Sequence, residues 1–154
     1  IRMKKLLSFF CFLFIFSCSG YEPIFSTKDM NFNIDKIENI DNGKTTKEII
    51  RSIRSYKLNN SKKNYSLKIN STKKNKITSR DSKGDPLTYR ITIDVKVDVL
   101  KDDQILLLNT IKIKKEFIYN YQKNQFELGQ YKKDIIQNLI NKVSEEIILK
   151  LQLI

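Results

Sequence analysis

The segment from Leu87 to Val99 constrains this chain more than any other. Leu87, Tyr89, Ile91, Ile93, Val95, Val97 and Val99 are apolar or aromatic, and Thr88, Arg90, Thr92, Asp94, Lys96 and Asp98 between them are polar. Successive side chains of a strand point to opposite faces, so this unbroken period of two makes one face apolar and the other wet. Such a strand belongs in an antiparallel sheet with one side covered and one side facing water. The rest of the chain must supply both its neighbours and its cover.

Neighbours are legible on both sides. Asn31 to Glu38 predicts a first strand, with Phe32 and Ile34 in alternation, and Tyr65, Leu67 and Ile69 mark a second. Ser71 to Pro86 is polar, with Lys73, Lys74 and Lys76 clustered, and closes in the turn composition Arg80-Asp81-Ser82-Lys83-Gly84-Asp85-Pro86. After a tight turn at Lys101-Asp102-Asp103, a fourth strand is expected from about Ile105 to Tyr119, with Ile105, Leu107, Ile111, Ile113, Phe117 and Tyr119 in phase.

The cover comes from two helices. Asp41-Asn42-Gly43 reads as a turn, and Thr45-Thr46-Lys47-Glu48 has the form of a capping box, Thr45 accepting the Glu48 amide. Ile49, Ile50, Ile53 and Tyr56 follow at helical spacing. From Glu127 the period is helical again: Leu128, Tyr131, Ile135, Leu139, Val143, Ile147 and Leu151 form a stripe, with Ile136 and Ile140 beside it. At 1.5 Å per residue this helix is roughly 35 Å long, enough to cross a sheet diagonally. The expected fold is α+β: a single domain over 31–154, with a four-stranded, mostly antiparallel sheet and two helices on one face, in the order β-α-β-β-β-α.

Ahead of the domain stands an export signal. Met3-Lys4-Lys5 is a basic start, Leu6 to Phe16 is an apolar run too short to span a bilayer, and Ile15-Phe16-Ser17-Cys18 resembles a lipobox. Residues 1–17 are then a lipoprotein signal peptide and 18–30 a lipidated tether, with Pro23 denying it a helix start. The Cys18 thiol is the soft nucleophile that takes diacylglycerol, and cleavage frees an amine for a further acyl chain. An ordinary secretory signal or a membrane anchor, with an incidental cysteine, is the competing reading. Ser19 follows the cysteine where Asp would favour inner-membrane retention, so the expected location is the periplasmic side of the outer membrane. Cys11 is discarded and Cys18 consumed, which leaves no disulfide in the mature chain.

Charge and chemistry narrow the function. The chain carries 29 Lys and Arg against 17 Asp and Glu, a net charge of +12. Export argues against nucleic acid as the partner and points to anionic lipid head groups and lipopolysaccharide instead, although Lys-, Asn- and Ile-rich codon usage explains part of the charge. With no His, imidazole metal ligands and the usual hydrolytic triads are unavailable to it. Asp94 and Asp98 share a strand face, but four residues at 3.3 Å set them about 13 Å apart, beyond the roughly 5 to 9.5 Å of glycosidase pairs. Asp102-Asp103 lacks calcium-loop spacing, and no glycine-rich phosphate loop occurs. The expectation is a non-enzyme without metal or cofactor beyond its covalent lipid. Arg80 and Lys83 in the turn before the third strand, and Lys123 before the last helix, are the candidates to grip a phosphate, with plain solvated charge as the stronger reading on charge alone.

Three stretches carry a family resemblance. Cys18-Ser19-Gly20-Tyr21-Glu22-Pro23-Ile24-Phe25, Tyr89-Arg90-Ile91-Thr92-Ile93-Asp94-Val95-Lys96-Val97, and Phe117-Ile118-Tyr119-Asn120 running on to Leu151 resemble the opening, the long third strand and the C-terminal segment of the LPS-assembly lipoprotein family, LptE. The resemblance implies an outer-membrane lipoprotein that plugs the lumen of the β-barrel LptD, assists its assembly and binds LPS. It also implies LPS contacts near the turn before the third strand, where Arg80 and Lys83 lie, and near the start of the last helix, where Lys123 or Lys132 is available. Two rivals stand beside it: a pilot or adaptor lipoprotein with another outer-membrane partner, and a solute-binding lipoprotein, for which one small domain lacks the cleft between lobes.

Overall fold

The computed structural model describes residues 32–56, 63–101 and 106–154. The signal peptide, Cys18, the tether at 18–30, Asp102-Asp103 and Ile105 lie outside the described residues. The elements are β1 (Asn33–Asn39), α1 (Lys44–Arg54), β2 (Asn64–Arg80), β3 (Pro86–Lys101), β4 (Leu106–Asn120) and α2 (Gln125–Gln152). They form one sheet in the order β1-β2-β3-β4, with β1 parallel to β2 and the other pairs antiparallel. This is the expected β-α-β-β-β-α fold. The single parallel pair follows from connectivity, because a helix between β1 and β2 returns the chain to the end where β1 began.

Both helices cover one face of the sheet, α1 over β1 and β2 and α2 over β3 and β4. Ile49 and Ile53 of α1 and Ile140, Val143 and Ile147 of α2 are buried with Leu67, Ile69, Ile93, Val95 and Val97 of the sheet. The helices also meet each other, where the buried Ser144 hydroxyl donates to the Ile49 carbonyl at 3.5 Å. At the rim, the Lys115 ammonium of β4 meets Glu146 of α2 at 2.6 Å, and Lys150 joins it one turn on at 3.1 Å. The hydrogen bond from Lys115 chiefly holds the Glu146 carboxyl below its usual range, against the opposing pull of burial.

Four details depart from the sequence reading. The polar stretch after Ile69, which shows no strand pattern in the sequence, is strand: β2 continues to Arg80, paired with β3 through Arg80 and Pro86. The capping box does not form. The helix starts at Lys44 with Gly43 as its N-cap, so Thr45 already lies inside it. Asp41 organises this corner instead, its carboxylate accepting from the Gly43 amide at 2.8 Å, the Thr46 hydroxyl at 2.8 Å and the Ser71 amide at 2.9 Å. Burial pushes the Asp41 carboxyl up, but these hydrogen bonds outweigh it and leave the group below its ordinary value. In β4, a bulge at Leu108 pairs Leu107 with Leu100 and not with Lys101, which takes Leu107 out of phase with Ile111 and Ile113. Phe117 and Leu87, expected on the apolar face, are exposed: Phe117 sits on an edge strand with a neighbour on one side only, and Leu87 lies next to the hairpin turn.

Candidate functional site

The β2–β3 hairpin projects past the part of the sheet that β1 completes, since β1 pairs only with Asn64 to Ile69. Its turn is built by one carboxylate. Asp81 Oδ1 accepts the amides of Lys83 at 2.9 Å and Asp85 at 2.8 Å, while the Asp81 amide donates to the Asp85 carbonyl at 2.9 Å. Gly84 takes φ +89°, a conformation an L side chain resists, and its amide donates to the Asp81 carbonyl at 3.1 Å. The Arg80 guanidinium donates to the Gly84 carbonyl at 2.7 Å. Arg80 and Lys83 are thus held in one ordered, exposed turn, with part of the Arg80 fork spent on the turn itself. Asp81 and Asp85 offset their charge, so the turn carries no broad positive field.

A second group of residues assembles where β3, β4 and α2 meet behind this turn. Tyr89 stacks on Tyr119 with ring centroids 5.5 Å apart, Tyr121 tilts against Tyr89 at 6.4 Å, and Tyr131 of α2 meets Tyr119 edge-on at 6.2 Å. The Lys132 ammonium lies 5.6 Å from the Tyr89 ring centre and 5.9 Å from that of Tyr119. The electron-rich faces hold this cation in place. Asn75 of β2 donates to the Tyr119 hydroxyl at 3.0 Å. Burial raises the Tyr119 hydroxyl above its ordinary value, the bond from Asn75 opposing it, and the group stays neutral. Around this core Phe117, Tyr121 and Tyr131 are exposed, and Phe126, in the first turn of α2, is 73% exposed.

Of the two cations open for the second contact, Lys132 sits on the aromatic cluster, whereas Lys123 is exposed on the β4–α2 connection. The start of α2 is set by Asn124, whose side chain accepts the Phe126 amide at 3.1 Å and the Glu127 amide at 3.4 Å. The cluster was not read from the sequence. Tyr119 and Tyr121, two apart at the end of a strand, are a weak local signal for it, because its members come from three elements.

The face of the sheet away from the helices is a lattice of paired charges: Lys68 with Glu38, Lys96 with Asp98 at 2.9 Å, and Glu116 with both Arg90 and Lys114. Asp98 also accepts from Thr110 at 2.7 Å, and that bond, ahead of the one from Lys96, holds its carboxyl below the usual range against burial. Asn70, Thr72, Asp94, Lys96, Lys112 and Lys114 line a shallow depression on this face. Among the described residues no three His, Cys, Asp or Glu side chains are grouped to hold a metal ion, and no helix is long and apolar enough to cross a membrane.

A one-sided sheet of this order, with a long C-terminal helix laid across it, is a fold found in solved bacterial lipoproteins. The chain shares its fold with rare lipoprotein B from Shewanella oneidensis, at a TM-score of 0.60 and 11% identity over 77% of this chain and 93% of the other. A lipoprotein B from Nitrosomonas europaea matches at a TM-score of 0.59 and 13% identity, over 86% of this chain and 90% of the other. A minor lipoprotein from Acinetobacter baumannii matches at 0.57 and 12%, over 80% and 92%. This is the LptE-type fold that the sequence resemblance implied, and at such identities the likeness is one of fold. No protein-family model and no curated protein sequence matches the chain.

Proposed function

We propose that this chain is an outer-membrane lipoprotein, acylated at Cys18, that occupies the lumen of an LptD-type β-barrel and binds LPS at its hairpin end. The observation that carries the reading is the fold, shared over about nine-tenths of three envelope lipoproteins, standing behind a lipobox-like Ile15-Phe16-Ser17-Cys18. The charged open face of the sheet suits contact with a polar lumen better than contact with lipid. Length suits it as well. The 16 residues of β3 extend about 50 Å, more than the roughly 30 Å of a hydrocarbon core, so a domain standing in a barrel reaches from one leaflet to the other. LPS presents phosphates beside acyl chains. The hairpin end offers Arg80, Lys83 and the ring-held Lys132 beside exposed apolar side chains, which is the matching pair of chemistries.

Purification from detergent-solubilised outer membranes tests the reading. The expected result is a one-to-one complex with a large barrel, and an N-terminal peptide whose mass shows acylated Cys18. A barrel-free lipoprotein that proteases cut readily in intact outer membranes overturns barrel occupancy. A complex with a different outer-membrane machine supports the adaptor reading instead.

A further inference from the structure

Like charges face one another at two places on the open face of the sheet. Lys76 of β2 stands directly opposite Arg90 of β3, with Lys74 the next residue along on the same face. Farther down, Lys96 of β3 stands opposite Lys112 of β4. Side chains directly opposed on neighbouring strands lie about 5 Å apart at Cβ, where like charges destabilise the pairing. Neither pair helps the fold.

Nearby carboxylates do not offset them. Lys74, Lys76 and Lys112 are exposed and meet no carboxylate at ion-pair distance among the described residues. The Arg90 guanidinium has only Glu116, at 4.0 Å, and Lys114 shares that carboxylate at 3.9 Å. Lys96 is answered by Asp98 at 2.9 Å, which leaves Lys112 alone. On the open face of β2, β3 and β4, Asp94 is the one carboxylate without an ion pair among the described residues. Arg90 and Lys96 are six residues apart along β3, so the two basic foci lie roughly 20 Å apart with Asp94 between them. The shallow depression edged by Lys96, Lys112 and Lys114 gives the second focus a recess for a side chain from outside.

This pattern discriminates between anionic partners. A lipid surface is evenly negative and presses like charge against Asp94, Asp98 and Glu116 as well. A protein wall sets carboxylates opposite the foci and leaves the positions between them neutral or basic. We propose that the open face docks on an acidic protein wall, whose carboxylates pair with Lys74, Lys76 and Arg90 at one focus and with Lys112 at the other. The proposal deepens the barrel reading and rests on it for the identity of the wall, the lumen surface that faces the sheet.

Full-length mature chain carrying Lys76→Glu with Arg90→Glu is purified from detergent-solubilised outer membranes beside wild type. The control is Lys133→Glu with Lys142→Glu, the same change of charge at exposed positions of α2. The apparent Kd for the co-purifying barrel is measured across a salt series. The expected result is a weakening of at least about tenfold for K76E/R90E, shrinking as salt rises, and of less than about twofold for the control. Lys76→Glu alone puts a carboxylate opposite Arg90, so it should raise the urea midpoint of the unbound chain while weakening the complex, a combination that impaired folding cannot produce. Barrel binding that neither pair disturbs, or that both weaken equally, overturns the docking and leaves the barrel reading standing. A complex with a different outer-membrane protein, weakened by K76E/R90E and not by the control, upholds the docking and overturns the barrel. A wild type that carries no partner protein overturns both. Wild-type binding to phosphatidylglycerol vesicles that K76E/R90E abolishes, with the protein complex intact, assigns the face to lipid and overturns the proposal.

Discussion

The two halves of β2 are strand for different reasons. In the first half Tyr65, Leu67 and Ile69 are buried under the helices, flanked by β1 and β3. In the second half, from Thr72 to Arg80, every side chain is exposed, and only β3 pairs with it among the described residues. Burial makes the first half a strand. The second is held by its ladder with β3 and by hydroxyl contacts such as Thr78 and Ser79 with Thr88, at 2.7 and 2.6 Å. Lysines on its open edge discourage pairing with other chains. A buried platform thereby carries a polar arm whose surface is free to serve binding without cost to the core.

If that division is right, stability belongs to one half and recognition to the other. Leu67→Ala should cost about 3 kcal/mol in urea unfolding, whereas Ile77→Ala on the arm should cost less than about 1 kcal/mol. Equal losses would break the comparison. On the recognition side, Arg80→Asp with Lys83→Asp should weaken LPS binding about tenfold or more, most strongly at low salt, and leave the unfolding midpoint in place. Lys73→Asp with Lys76→Asp is the control on the same arm. Equal weakening by both pairs would reduce the site to diffuse positive charge. Lys132→Met, which keeps the stem over the rings, should cost several-fold in affinity and little in stability.

The junction between the halves should show an intermediate effect. Asp41 caps the edge of β2 where β1 leaves it, and Asp41→Asn should lose about 1 kcal/mol. Its carboxyl titrates below the ordinary value in the folded protein. Its contribution is therefore fully present above the unfolded-state pKa and is lost as pH falls through the lower folded value. Urea midpoints followed across that acid range should decline more in the wild type than in the variant. The smallest expected effect is at the rim: Lys115→Met should cost about 0.5 kcal/mol, and added salt should shrink the difference, since both partners remain partly exposed.

The sequence by itself determined the elements whose pattern reports burial. Period two from Tyr89 to Val99 and the stripe from Leu128 to Leu151 are repeated consequences of one covered face, so β3, α2 and the α+β class were legible in the order of residues. Tertiary structure alone decided what no periodicity encodes. The outer half of β2 has no apolar alternation because nothing covers it, and only its pairing with β3 makes it strand. The bulge that frees Leu107 is a register event between two strands and leaves no local mark. Lys132 gains its place because Tyr89, Tyr119 and Tyr131 converge from three elements, and Asp41 displaces the expected Thr45 cap because Ser71, thirty residues on, presents its amide. A period records the environment of a face, while a site depends on distances between residues far apart in the chain, which are set only when the chain has folded.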